Sequence, residues 1–210
     1  MEHCKTLLLA GLSELQLKLA DHQIEQLLAF IALIEKWNKA YNLTAIRDKH
    51  AMVSLHLLDS LAIVPHLTGK RHIDIGTGAG LPGIPLAICY PDYEFTLLDS
   101  NAKKTRFVQQ AVLELKLRNV EVCHYRVENY RADPGFDTVI TRAFAELSAI
   151  VEMTAHLLNS NGVLLAMKGQ LPDEPLSQGI CTHVPITVPG IDAARCLVKV
   201  AGLSRPATPN

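Results

Sequence analysis

Three glycines at alternate positions, Gly76, Gly78 and Gly80, follow the apolar run Arg71 to Ile75 and precede a stretch that reads as a helix. A strand-to-helix turn of this kind brings backbone close to a ligand at the edge of a parallel sheet. Glycine suits it because a Cβ would clash with the ligand or forbid the positive φ the turn needs. The spacing alone leaves two ligands open, since Gly78-x-Gly80-x-x-Gly83 also satisfies the dinucleotide pattern. Asp74, two residues before Gly76, offers a carboxylate to the ammonium of a methionine moiety, whereas a pyrophosphate wants no negative charge there. Pro82 and Pro85 remove amide groups that would cradle a pyrophosphate. No Tyr-x-x-x-Lys pair exists to serve hydride transfer. These features favour S-adenosylmethionine over a nicotinamide dinucleotide. Asp99, ending the next apolar run, suits ribose hydroxyls under either reading.

Two further groups fall where a parallel sheet presents its ligand edge. Arg126-Val127-Glu128 follows a third strand, where an adenine ring can lie against backbone and an acidic side chain, although solvated loop charges explain it equally well. Arg142 ends a fourth strand, where a charge has no packing reason to exist. The residues around it, Thr141-Arg142-Ala143-Phe144, lack the Asn/Asp-Pro-Pro-Tyr/Phe pattern of exocyclic-amine methylation. Neither Pro-Cys nor Thr-Cys occurs, which speaks against a cysteine nucleophile for pyrimidine C5. An acceptor with its own lone pair, such as guanine N7, needs neither device and relies on proximity and desolvation.

The elements that must hold these groups follow from the patterning. At 210 residues, 49% hydrophobic and 20% charged, the chain has room for one sizeable core with an appendage. Residues 1–66 read as a helical subdomain: a first helix, a second with Ile24, Leu27, Leu28, Ile31, Ile34 and Trp37 on one face and Asp21 as its cap, and a third from Lys49 to Val64 stopped by Pro65. Residues 67–203 alternate strand and helix, which predicts an α/β, doubly wound, mostly parallel seven-stranded sheet. Its closing pair, Ile180 to Val188 and Cys196 to Ala201, has no helix between and predicts an antiparallel edge. The tail 204–210 is expected to be disordered. The five scattered cysteines and nine histidines show no metal-ligand spacing, so no metal is expected. No apolar stretch reaches the length of a membrane span, and a cytoplasmic location is expected. A net charge of −1 argues against a bulk polyanion binder but leaves room for a local basic face.

Taken together the motifs resemble the GidB/RsmG family of small-subunit ribosomal RNA guanine-N7 methyltransferases. The resemblance spans nearly the whole chain. It rests on Lys36-Trp37-Asn38-Lys39-Ala40-Tyr41-Asn42-Leu43-Thr44, His56-Leu57-Leu58-Asp59-Ser60, Asp74 through Pro85, Leu97-Leu98-Asp99-Ser100, Arg126-Val127-Glu128, Thr141 through Ala145 and Met167-Lys168-Gly169, with a late Arg195. It implies that Gly76, Leu81, Val127, Glu128 and Arg142 contact S-adenosylmethionine. It implies as acceptor the guanine at position 527, in the 530 loop of 16S ribosomal RNA. Lys168 and Arg195 match family positions suspected of holding RNA or aiding the reaction.

Plainer readings stand beside these. Trp37 and Tyr41, four apart on a helix, are expected in the core rather than stacked on bases. His56 and Asp59 can form a local hydrogen-bonded pair, and Lys103, Lys104 and Arg106 a solvated face. A small-molecule methyltransferase, a nicotinamide-dependent oxidoreductase and a catalytically silent RNA- or nucleotide-binding module remain as rivals.

Overall fold

The computed structural model of the chain describes residues 1–142, 145–169 and 178–203. Helices α1 (Glu2–Glu14), α2 (Asp21–Tyr41), α3 (Lys49–Met52) and α4 (Asp59–Leu61) precede the first strand. Then come β1 (Arg71–Ile75), α5 (Gly83–Cys89), β2 (Glu94–Asp99), α6 (Ala102–Glu114), β3 (Val120–His124), β4 (Phe136–Arg142), α7 (Leu147–Thr154), β5 (Leu158–Lys168), β6 (Ile180–Ile186) and β7 (Arg195–Ala201). The sheet order is β3-β2-β1-β4-β5-β7-β6. Strands β1 to β5 are parallel, and β7 runs antiparallel to both β5 and β6. The predicted doubly wound sheet and its antiparallel edge are both present. The winding reverses between β1 and β4, and in sheets of this kind ligands bind beside that reversal.

Both faces of the sheet are covered, so its central strands are buried almost throughout. One core packs Leu8, Phe30, Ile31 and Leu57 from the N-terminal helices against Ile84, Leu97 and Phe107. The other packs Leu147 and Ile150 of α7 against Ile73, Val139 and Leu164. Trp37 and Tyr41 pack against the first: their rings lie 5.2 Å apart, with Phe107 6.1 Å from Trp37. Both are half-buried and pack against that core.

Two local expectations are corrected. Asp21 is not the cap of α2 but its first helical residue; Ala20 takes the cap position, and its amide donates to Gln23 Oε1 at 2.9 Å. An acid in the first turn still complements the helix dipole. The stretch from Lys49 to Val64 is not one regular helix. Between α3 and α4 the chain widens into a π-helical turn over Val53–Leu58, and Pro65 sits within a 3-10 turn, Val64–His66. Ser60 donates its hydroxyl to the His56 carbonyl at this widening. Such turns alter which side chains face inward, and they cluster at functional sites. Among the described residues no helix is long and apolar enough to cross a membrane.

Candidate functional site

The glycine loop folds over the end of β2. The amides of Gly76 and Thr77 both donate to the Leu98 carbonyl, at 2.8 and 3.1 Å. Asp99 then takes the Gly78 amide on Oδ2 at 2.9 Å and the Asn101 amide on Oδ1 at 2.8 Å. Gly78 has φ +59°, and a Cβ built on it would meet nothing nearer than the Gly76 carbonyl at 3.8 Å. The position faces open space, and glycine keeps it open. At Gly83 the reason differs: a Cβ there would collide with Leu97, so glycine lets α5 lie down on the sheet.

Beside this loop lies a first cleft of about 190 Å³. Gly76, Asp99, Ser100, Tyr125, Arg126, Val127, Glu128 and Met153 line it, so four predicted cofactor residues meet there: Gly76, Asp99, Val127 and Glu128. Val127 is buried, Glu128 exposed. Tyr125 and Met153 escaped the sequence reading. Tyr125 directly precedes the Arg126-Val127-Glu128 triplet and could have been included, whereas Met153 arrives from α7 and carries no sequence signal.

Asp74 is placed differently from the expectation of an open ionic partner. It is 1% exposed, and its Oδ2 accepts from the Thr77 hydroxyl at 2.7 Å and the Gly83 amide at 3.0 Å. Burial pushes its pKa up to about 6, against the pull of those two hydrogen bonds and the Arg142 charge. One oxygen therefore shapes the loop, and Oδ1 has no hydrogen-bond partner among the described residues. Leu81 departs further: its side chain is buried in the core shared with the N-terminal helices and lines neither cleft.

Arg142, Lys168 and Arg195 come together in a second cleft, of about 320 Å³. Asp59, Ile63, Met167, Gly169, Ile186, Cys196 and Leu197 complete its lining. Register explains the meeting of Lys168 and Arg195. In the antiparallel β5–β7 pair Lys168 sits opposite Cys196, so the last residue of β5 lies beside the first of β7. Lys168 Nζ donates to the Ala145 carbonyl at 3.2 Å, which fastens the chain just beyond β4. Ala143 and Phe144, between them, lie outside the described residues.

Asp59 lies between the two arginines. Its Oδ1 accepts from Arg195 Nε at 3.1 Å, and its Oδ2 lies 3.8 Å from Arg142 Nη2. The expected His56–Asp59 hydrogen bond is absent, and neither ring nitrogen of His56 has a hydrogen-bond partner among the described residues. Burial, with the Arg142 charge adding to it, holds His56 below its ordinary pKa. Cys196 belongs to the α7-side core, and burial pushes its thiol up, away from a reactive thiolate. Among the described residues no group of three or more His, Cys, Asp or Glu is placed to hold a metal. Lys103 and Arg106 are exposed and Lys104 partly so, while Asn101 caps their helix by accepting the amides of Lys103 and Lys104.

The first cleft fits S-adenosylmethionine on its own evidence. The Gly78 position is open, Asp99 stands at the β2 end with lone pairs to spare, and Val127 and Met153 supply apolar wall. Fold and cleft together define an S-adenosylmethionine-dependent methyltransferase of the doubly wound class. Solved structures share the fold. An O-methyltransferase, TomG, from Streptomyces achromogenes superposes with a TM-score of 0.57 at 16% identity, covering 88% of this chain and 92% of that one. A SAM-dependent methyltransferase from Aquifex aeolicus gives 0.55 at 16% identity, covering 70% and 92%. The chain belongs to the GidB family, described as rRNA small subunit methyltransferase G, whose model matches residues 23–180. The ribosomal RNA small subunit methyltransferase G of Chromobacterium violaceum is 51% identical over 196 residues, 90% of this chain and 94% of that protein. The Marinobacter nauticus protein of the same name is 52% identical over 200 residues, 93% and 94%.

Proposed function

We propose that this chain methylates N7 of a guanine in small-subunit ribosomal RNA, at position 527 in the 530 loop of 16S RNA, using S-adenosylmethionine. The observation that carries the reading is the pair of clefts on one sheet edge. One is shaped by the glycine loop; the other is walled by Arg142, Lys168 and Arg195. Three cations in a cleft suit an RNA acceptor, and they supply the local basic face that a net charge of −1 leaves possible.

In the first cleft Asp99 is assigned to the ribose hydroxyls, with Val127 and Glu128 beside the adenine and Gly76 and Gly78 giving backbone room. Asp74 and Leu81 support the loop from beneath, and Asp74 Oδ1 is the acceptor left over for an ammonium. S-adenosylmethionine supplies an electrophilic methyl on a sulfonium. Guanine N7 has an in-plane lone pair, so the protein needs no base to activate it. Arg142 orients the reacting partners, while Lys168 and Arg195 hold RNA. Residues 1–66 form a helical cap that closes the acceptor side through Asp59 and Ile63, over the methyltransferase region 67–203. The substrate is the RNA or the small subunit itself, met in the cytoplasm.

The test incubates the protein with labelled cofactor and small-subunit particles or their RNA, then applies borohydride reduction and aniline cleavage. One cleavage site in that RNA, with none in transfer or large-subunit RNA, is expected. Label on an exocyclic amine, a ribose hydroxyl or only on small metabolites overturns it.

A further inference from the structure

The chemistry of N7 does not by itself choose guanine. Adenine carries the same lone pair at N7, so selection must come from elsewhere on the base. The two purines differ at their other edge: guanine presents O6 as acceptor with N1–H and N2–H donors, while adenine presents N1 as acceptor and an N6 amine. A site for guanine therefore needs a hydrogen-bond acceptor facing N1 and N2. Arginine and lysine side chains only donate, so Arg142, Lys168 and Arg195 can meet O6 or phosphate but not these hydrogens.

Among the described residues lining the second cleft, Asp59 is the one carboxylate. It lines that cleft, with its side chain 7% exposed. Arg195 fixes Oδ1 through the 3.1 Å bond. Oδ2 stands 3.8 Å from Arg142, too far for a hydrogen bond, and accepts none from the described residues. The π-helical turn over Val53–Leu58 ends immediately before this residue. On the other side the loop between β6 and β7 seats Gly190 against Ser54, where a Cβ would lie 2.5 Å from the Ser54 hydroxyl.

We infer that Asp59 is the specificity-determining residue for guanine, its carboxylate accepting from the N1–H and N2–H of the acceptor base. Arg195 and Arg142 hold it in place for that contact. This rests on the guanine-N7 reading above. Adenine in the same position would turn its N1 lone pair toward the carboxylate and leave both groups without a donor, a loss a site built for hydrogen bonding punishes heavily.

The experiment compares kcat/KM on small-subunit RNA carrying guanosine or inosine at the acceptor position. Inosine keeps N7, O6 and N1–H but lacks the 2-amino group. The wild type should favour guanosine by roughly tenfold or more. Asp59→Asn should lose a similar factor on guanosine and handle the two substrates within about twofold of each other. Its thermal midpoint and its calorimetric affinity for S-adenosylmethionine should stay near wild type. Asp59→Glu keeps a carboxylate and should retain the guanosine preference at a lower rate, which keeps the test open if Asp59→Asn does not fold. Equal rates on both substrates with the wild type overturn the proposal. An unchanged ratio in Asp59→Asn also overturns it, leaving Asp59 only to position the arginines. No 7-methylguanine from the wild type on guanosine RNA would instead sink the N7 reading, and this proposal with it.

Discussion

The two clefts share one sheet edge but are made in different ways. The first is built mainly by backbone: amides of Gly76, Thr77 and Gly78, the open Cβ position at Gly78, and Asp99 holding the loop shut. The second is built by charged side chains from four separate elements, α4, β4, β5 and β7, meeting around Asp59. Backbone geometry suits a ligand that never changes. A cluster of side chains suits an acceptor that must be told from its competitors. Damage to the first should therefore abolish binding, while damage to the second should change rate and selectivity.

Gly78→Val should give the largest effect. Its branched Cβ would fill the open space, and we expect cofactor affinity to fall by about a hundredfold or more, against roughly 1–2 kcal/mol of backbone strain at positive φ. Titration calorimetry on the folded variant checks this, and unchanged affinity would remove the premise of the first cleft. Arg142→Ala should come next, lowering kcat about a hundredfold. Its side chain is 36% exposed, so no core cavity opens and the thermal midpoint should move only a few degrees. Matching losses of activity and stability would make Arg142 structural.

Affinity for the RNA should fall with salt along a shallow slope of about −1.4 in log–log form, as two phosphate contacts on single-stranded RNA, from Lys168 and Arg195, would give. Lys168→Ala should flatten it by about 0.7. A slope several times steeper would mean that the cations of this cleft are not the main RNA contacts.

A smaller effect belongs to β1, between the two clefts. Burial pushes the Asp74 carboxyl up to about 6, above the ordinary carboxylate range, so the native state keeps a proton that the unfolded chain has released. Its contribution to stability therefore falls as pH rises from about 4 to about 6. His72, fully buried with its pKa held down to about 4, works the other way: stability falls as pH drops from 6.5 toward 4, because only the unfolded chain takes the proton. Urea midpoints between pH 4 and 7 should show Asp74→Asn losing the first slope and His72→Phe the second. Identical profiles for both variants would mean that neither group titrates as its burial requires. The smallest change expected is none. With the RNA fold held constant, EDTA should leave turnover intact, and activity restored by zinc alone would contradict the reading.

These two modes of construction also explain what the sequence could disclose. The glycine loop, Asp99 and the Arg126–Glu128 triplet lie in short runs at strand ends, where alternating strand and helix patterns locate them directly. Residue spacing did not reveal which way Asp74 and Leu81 point, because both serve packing beneath the loop. Nor could it find the Asp59–Arg195 bond, which joins residues 136 positions apart. The π-helical turn was hidden for a related reason: Lys49 to Val64 keeps an apolar face, and periodicity shows no widening that tertiary contacts impose. The antiparallel edge was legible in the missing helix between the last two strands, whereas the placing of β7 between β5 and β6 was not.

That reversed strand has a consequence for how such an enzyme can diversify. In the parallel strands, residues near the carboxyl ends reach the ligand edge. Because β7 runs the other way, its first residue, Arg195, arrives there instead, together with the hairpin that precedes it. Had β7 been parallel, Arg195 would stand at the far end of the sheet, about 20 Å away across the seven residues of the strand. The turn-back thus delivers a connecting loop to the side of the second cleft. Insertions or substitutions in residues 187–194 would change the chain that joins Ile186 to Arg195 at the second cleft, while the glycine loop keeps its shape.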